Sequence, residues 1–128
     1  MPVQRPRPTK AELEILRVLW KEGPLSVREV LNILNTSRPT GYTSVLKTMQ
    51  IMTEKELVNR DDTRRPQVYD ARHSEERTQK QLLGDLIQRA YGGSVKTLVM
   101  HAVGTKKPSP ADLEAIEKLL DRFEREKK

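Results

Sequence analysis

Two helix-start signatures set close together constrain this chain more than any other feature. Thr9-Lys10-Ala11-Glu12 and Ser26-Val27-Arg28-Glu29 each place a hydroxyl N-cap three residues ahead of a glutamate that reaches back to the cap. Behind the first, Leu13, Leu16, Leu19 and Trp20 recur at helical spacing to about Glu22, where Gly23-Pro24 stops the helix. Behind the second, Val27, Val30, Leu31 and Leu34 form the buried stripe of a short helix ending near Asn35. Pro39 restricts Arg38 and breaks the chain, and a third helix is expected from about Thr40 to Lys55.

The third helix divides its faces by chemistry. Val45, Met49 and Met52 make an apolar stripe, flanked by Tyr42, Leu46 and Thr48. The opposite side carries Thr43, Lys47 and Gln50, with Ser44 at its edge, and so holds donors and acceptors but only one charge. A surface helix without a nucleic-acid role usually carries more charge, acids included. A helix that opens with small hydrogen-bonding residues and one lysine suits a DNA major groove, because it comes close without repelling phosphate. Arg38 precedes this helix. Tyr42 at its start has two open readings: an anchor on the DNA backbone, or inward packing.

Leu57-Val58-Asn59-Arg60 reads as a strand and Gln67-Val68-Tyr69-Asp70-Ala71 as its partner. Between them Asp61-Asp62-Thr63-Arg64-Arg65-Pro66 is a hairpin tip. Three helices followed by a hairpin is the order of a winged helix-turn-helix. The tip is then the wing, with Arg64 and Arg65 along the phosphate backbone, or else an ordinary solvated turn.

After His73 the character changes. Ser74 to Tyr91 reads as one helix with Leu82, Leu83, Leu86, Ile87, Ala90 and Tyr91 as its stripe, ended by Gly92-Gly93. Ser94 caps a short helix with Val95, Leu98, Val99 and Ala102 on one side, and Gly104 to Pro108 reads as a loop. Ser109-Pro110-Ala111-Asp112 starts a last helix carrying Leu113, Ile116, Leu120 and Phe123 in a coiled-coil-like seam. These helices are too short to bury their stripes alone. They pack against a second copy in a homodimer, or fold back on the winged domain. The expected class is mainly α with a small β-hairpin. A disordered basic arm (1–8) leads to a winged helix-turn-helix domain (9–73) and a C-terminal helical dimerisation region (74–128).

Composition narrows the function. The 128 residues carry a net charge of +6, and residues 1–73 hold 13 Lys/Arg against 9 Asp/Glu, so the basic excess leans to the half expected to meet nucleic acid. With no cysteine there are no disulfides, thiolate metal sites or cysteine nucleophiles, which suits a reducing cytoplasm. No apolar run is long enough for membrane insertion, and the first residues lack an apolar signal core. The two histidines, His73 and His101, sit far apart in no ligand-spaced motif, so neither an enzyme nor a metal or other cofactor is expected. Single-stranded RNA readers present stacking aromatics, and most of the five aromatic side chains here lie on core stripes. A transcription adaptor working through protein contacts, or an activator, is the alternative to a repressor.

The chain resembles the penicillinase-repressor family of bacterial transcription regulators, which includes the methicillin-resistance and copper-responsive repressors. The residues that carry the likeness are Glu12 to Trp20, Ser26-Val27-Arg28-Glu29-Val30, Tyr42-Thr43-Ser44-Val45, Lys55-Glu56-Leu57-Val58-Asn59-Arg60, Val68-Tyr69, Tyr91-Gly92-Gly93-Ser94 and Leu98-Val99. The resemblance implies a winged-helix DNA-binding domain, a helical dimerisation arm and repression at an inverted-repeat operator. It implies DNA contacts from Tyr42, Thr43, Ser44 and Lys47, with Arg64 and Arg65 on the wing. In the β-lactamase branch a membrane sensor leads to cleavage of an Asn–Phe bond in the helix after the paired glycines. The corresponding bond here is His101–Ala102, and both residues differ. The copper branch uses C-terminal cysteines, which this chain lacks.

Overall fold

The computed structural model describes residues 7–126. They fall into two compact units that divide between Leu82 and Leu83. The first holds α1 (Lys10–Glu22), α2 (Val27–Leu34), α3 (Tyr42–Glu54), β1 (Val58–Asp61) and β2 (Val68–Ala71). α4 (Glu75–Ala90) begins in this unit and ends in the second, which also holds α5 (Val95–Thr105) and α6 (Pro110–Glu126).

Both capping boxes form. Thr9 Oγ1 accepts from the Glu12 N–H at 3.2 Å while Glu12 Oε1 accepts from the Thr9 N–H at 2.8 Å, and Ser26 and Glu29 repeat the exchange at 3.2 and 2.9 Å. The buried face of α1 is turned from the expected stripe. Glu12, Ile15, Leu16 and Leu19 are buried, whereas Leu13 and Trp20 are only half-buried. The reason is tertiary: Glu12 is drawn inward by Lys55, whose Nζ donates to Glu12 Oε1 at 2.6 Å. α2 buries Val27, Val30, Leu31 and Leu34 as its spacing predicts.

α3 starts two residues later than expected. The Asn35 side chain accepts from the Thr40 N–H at 2.7 Å and Thr40 Oγ1 donates to the Arg38 carbonyl at 3.1 Å, so Thr40 belongs to the turn. Val45, Met49 and Met52 are buried, two of them completely. Burying a side chain of this size contributes about 1.5–3 kcal/mol. Glu56, with φ of 60°, closes α3: its N–H donates to the Thr53 carbonyl and that of Leu57 to the Met52 carbonyl.

β1 and β2 pair antiparallel with Arg60 opposite Tyr69. The sequence did not reveal that Leu25, between α1 and α2, bridges the outer edge of β2. Its N–H donates to the Tyr69 carbonyl at 3.0 Å, and the Tyr69 N–H donates to the Leu25 carbonyl at 2.8 Å. The hairpin is thereby tied to the helices, and Tyr69 is 1% exposed. Trp20 anchors the chain where it enters α4: its indole N–H donates to the His73 carbonyl at 2.9 Å, and Thr78 in the first turns of α4 is buried.

In the second unit, the Gly93 N–H donates to the Ile87 carbonyl at 2.8 Å, with Gly92 and Gly93 both at positive φ, as the paired glycines predict. α5 runs through Gly104, into the expected loop, because Thr105 Oγ1 donates to the His101 carbonyl at 2.8 Å and the Lys106 N–H to that of Ala102 at 3.2 Å. Ser109 caps α6, its Oγ accepting from the Asp112 N–H at 3.1 Å. Neither α5 nor α6 has a buried residue. Of the expected arm, residues 1–6 lie outside the described residues. Arg7 and Pro8 are half-buried, and the Arg7 carbonyl accepts from Lys55 Nζ at 3.1 Å.

Candidate nucleic-acid interface

α3 is set by its buried stripe, and that fixes what it turns outward. Thr43, Ser44, Lys47 and Gln50 are all exposed, and α3 carries no acid before Glu54. Thr48 is not part of this outward set: it is half-buried, and its hydroxyl donates to the Ser44 carbonyl at 2.9 Å. Lys47 meets no carboxylate among the described residues. The N-cap of α3 is Gly41, with no side-chain cap, unlike the N-caps of α1 and α2. An uncapped helix start leaves backbone donors and the positive end of the helix dipole available to an anion.

Of the two readings of Tyr42, the structure bears on inward packing. Tyr42 is 41% exposed, so it is not a core residue, and the Arg28 guanidinium lies 4.6 Å from its ring centroid. The start of α3 thus meets the start of α2 through a cation–π contact. Arg28 was not singled out from the sequence, although one signal exists. It is a cation in the first turn of a helix, where the dipole favours acids.

Arg38 is exposed and paired with Glu14 at 3.1 Å, which holds the turn ahead of α3 against α1. At the wing the acids are engaged within the loop. Asp61 accepts from the Thr63 N–H at 3.0 Å and from its hydroxyl at 2.5 Å, and these bonds hold its carboxyl below the usual aspartate range. Asp62 takes Arg60 at 2.7 Å and the Gln67 amide at 2.9 Å, and its carboxylate raises the pKa of Arg60 above the ordinary value. The Arg65 guanidinium folds back on the carbonyls of Asp62 and Arg64, at 2.7 and 3.3 Å, while Arg64 is exposed at the tip. Asp61 and Asp62 therefore shape a tip on which Arg64 projects and Arg65 braces.

The residues expected at a dimer contact lie in α4, α5 and α6 and just beyond α4. Leu86, Val99, Leu113, Ile116, Leu120 and Phe123 are exposed; Leu82, Ile87, Tyr91 and Leu98 are half-buried. His101 and Ala102 lie within α5, both exposed, and His101 Nδ1 is 3.2 Å from the Tyr91 hydroxyl. Among the described residues no group of three or more His, Cys, Asp and Glu side chains is arranged to hold a metal ion. No helix among them is long and apolar enough to cross a membrane.

Three helices, a hairpin locked to them at Leu25, and an acid-poor third helix turned outward define a winged helix-turn-helix protein. The sequence profile of the penicillinase repressor family matches residues 8–122, nearly the whole chain. The chain belongs to that family and is a transcriptional regulator. No curated protein matches it.

Proposed function

We propose that the protein is a homodimeric repressor in the cytoplasm that binds double-stranded DNA at an inverted-repeat operator. The observation that carries this reading is the outward face of α3. Thr43, Ser44, Lys47 and Gln50 stand exposed together, with no acid on α3 before Glu54 and no side-chain cap at its start. Thr43, Ser44 and Gln50 read base edges; Lys47 and Arg64 attract phosphate; Arg38 and Arg65 hold the segments on either side. Family membership supports both DNA binding and dimerisation.

The second unit supports the dimer. Leu83, Leu86, Val95, Val99, Met100, Val103, Leu113, Ile116, Leu119, Leu120 and Phe123 are all exposed large hydrophobics. So many exposed large hydrophobics on three helices are the mark of an interface. Two linked half-site contacts raise affinity well above that of one. Separation of the two subunits would release the operator. A sensor-triggered protease acting at His101–Ala102 would do this, and because the bond lies inside α5 that helix would first have to open there.

The test is sedimentation of the full chain with a labelled duplex from upstream of its own gene, across a salt series. The expected result is a dimer whose affinity falls steeply with salt. Lys47→Ala is expected to reduce the slope of log K against log salt by about 0.9 per subunit. A Lys47→Ala protein that binds with unchanged affinity and slope refutes the assignment of α3.

A further inference from the structure

We infer that Arg28, held by the Tyr42 ring, is a DNA-phosphate clamp on α2, and that Tyr42 acts by positioning it rather than by touching a base. The inference rests on the DNA reading above and adds a residue to it.

Arg28 differs from three other arginines of the winged unit in being held without a carboxylate, and from Arg64 and Arg65 on the wing in being held by a ring. Arg38 is paired with Glu14, Arg60 with Asp62 and Arg72 with Glu56. In each of those pairs a carboxylate offsets part of the guanidinium charge. Arg28 is exposed and meets no carboxylate among the described residues; its guanidinium carbon instead lies 4.6 Å from the centroid of the Tyr42 ring. A ring face restrains a guanidinium without neutralising it and leaves its N–H groups free at the edge, where they donate in pairs to a phosphate. Ordering a long side chain in advance removes part of the entropy cost of binding.

The location fits the chemistry. In a helix-turn-helix the helix before the recognition helix crosses the DNA backbone. Here that helix is α2, and Arg28 is its second residue. The same concavity is lined by Tyr42 of α3 and by Pro66 and Gln67 at the foot of the wing, so the three elements expected to meet DNA converge beside Arg28. A cation there also opposes the dipole of its own helix, a local cost that an incoming phosphate removes. The neighbouring Glu29 does not neutralise it, because its carboxylate faces back to the Ser26 N–H at 2.9 Å.

The experiment is fluorescence anisotropy of the full chain with a labelled random-sequence 40-bp duplex at several salt concentrations. Phosphate contacts do not depend on sequence, so no operator is needed. Arg28→Gln is expected to lower the salt slope by about 0.9 per subunit, and Arg28→Lys to keep the slope but bind more weakly. Tyr42→Phe keeps the ring and is expected to lose less affinity than Tyr42→Leu. Tyr42→Leu is expected to weaken binding about 2- to 5-fold, and to have no further effect when combined with Arg28→Gln. If the unaltered chain binds but Arg28→Gln keeps its slope, the clamp is refuted while the DNA reading stands. If the slope falls but Tyr42→Leu and Arg28→Gln are additive, the positioning role of Tyr42 is refuted. If the unaltered chain binds no duplex, both readings fall.

Discussion

Replacing Glu12 tests how α3 is held against the rest of the winged unit. The Glu12 carboxylate side chain is 4% exposed and serves two partners: the Thr9 N–H at 2.8 Å and the Lys55 ammonium at 2.6 Å, at the end of α3. In Glu12→Ala the lost half of the capping box costs about 1 kcal/mol. Breaking a fully buried ion pair from one side costs about 3–5 kcal/mol. Lys55 is 27% exposed and keeps the Arg7 carbonyl, so a discounted figure of about 1–3 kcal/mol applies. The sum is about 2–4 kcal/mol, a large share of the 5–15 kcal/mol typical of a domain. Glu12→Gln, which keeps an acceptor for both donors, is expected to cost only about 1 kcal/mol. Urea unfolding followed by Trp20 fluorescence measures this, since the single tryptophan lies in α1. At a typical slope of about 2 kcal/mol per molar, the Glu12→Ala midpoint falls by about 1–2 M. Lys55→Met is expected to cost far less in the Glu12→Ala background than alone. A Glu12→Ala loss below about 0.5 kcal/mol, or strict additivity with Lys55→Met, refutes the coupling.

Three further outcomes are expected. Gly23 holds φ 87° and ψ −164°, and although nothing lies within 4 Å of an added Cβ, Gly23→Ala is expected to cost about 1–3 kcal/mol in the same urea assay; an unchanged midpoint contradicts this. Asp61 titrates below the ordinary aspartate range, so its hold on Thr63 is present above the unfolded-state pKa and is lost as pH falls through the lower folded one; the Thr63 amide shift in an NMR titration reports it, and a midpoint at or above the ordinary value overturns it. Leu120, 55% exposed on α6, is expected to lie in the dimer contact, so sedimentation equilibrium should find the unaltered chain dimeric and Leu120→Glu shifted towards monomer; a monomeric unaltered chain refutes the arm.

Much of the fold was legible because its signals are local. A capping box is complete within four residues, and Thr9–Glu12 and Ser26–Glu29 need nothing beyond their own turn. The face of α3 was legible for the same reason: once Val45, Met49 and Met52 are inside, helical geometry alone turns Thr43, Lys47 and Gln50 out. The ends of α3 and α5 moved through local hydrogen bonds, and other departures arose where a distant partner intervened. Ile15 joined the buried face of α1 with Leu13 at its edge, and the Leu25 bridge to Tyr69 joins segments more than forty residues apart. Tyr42 could not be placed from its helical position, because what occupies its ring is Arg28 on another helix.

The sequence by itself determined which segments are helical, where the capped helices α1 and α2 begin, which stripes are apolar, and that one helix face is polar and nearly free of charge. These properties come from backbone capping and from the helical period, which act over a few residues. Only the tertiary structure decided how the charges are used. It buried Glu12 against Lys55, engaged Asp61 and Asp62 with residues of their own hairpin to shape the wing tip, and left Arg28 on an aromatic ring with no carboxylate partner among the described residues. An ion pair or a cation–π contact depends on distances of a few ångströms between elements remote in the chain, and those distances exist only once the core has closed.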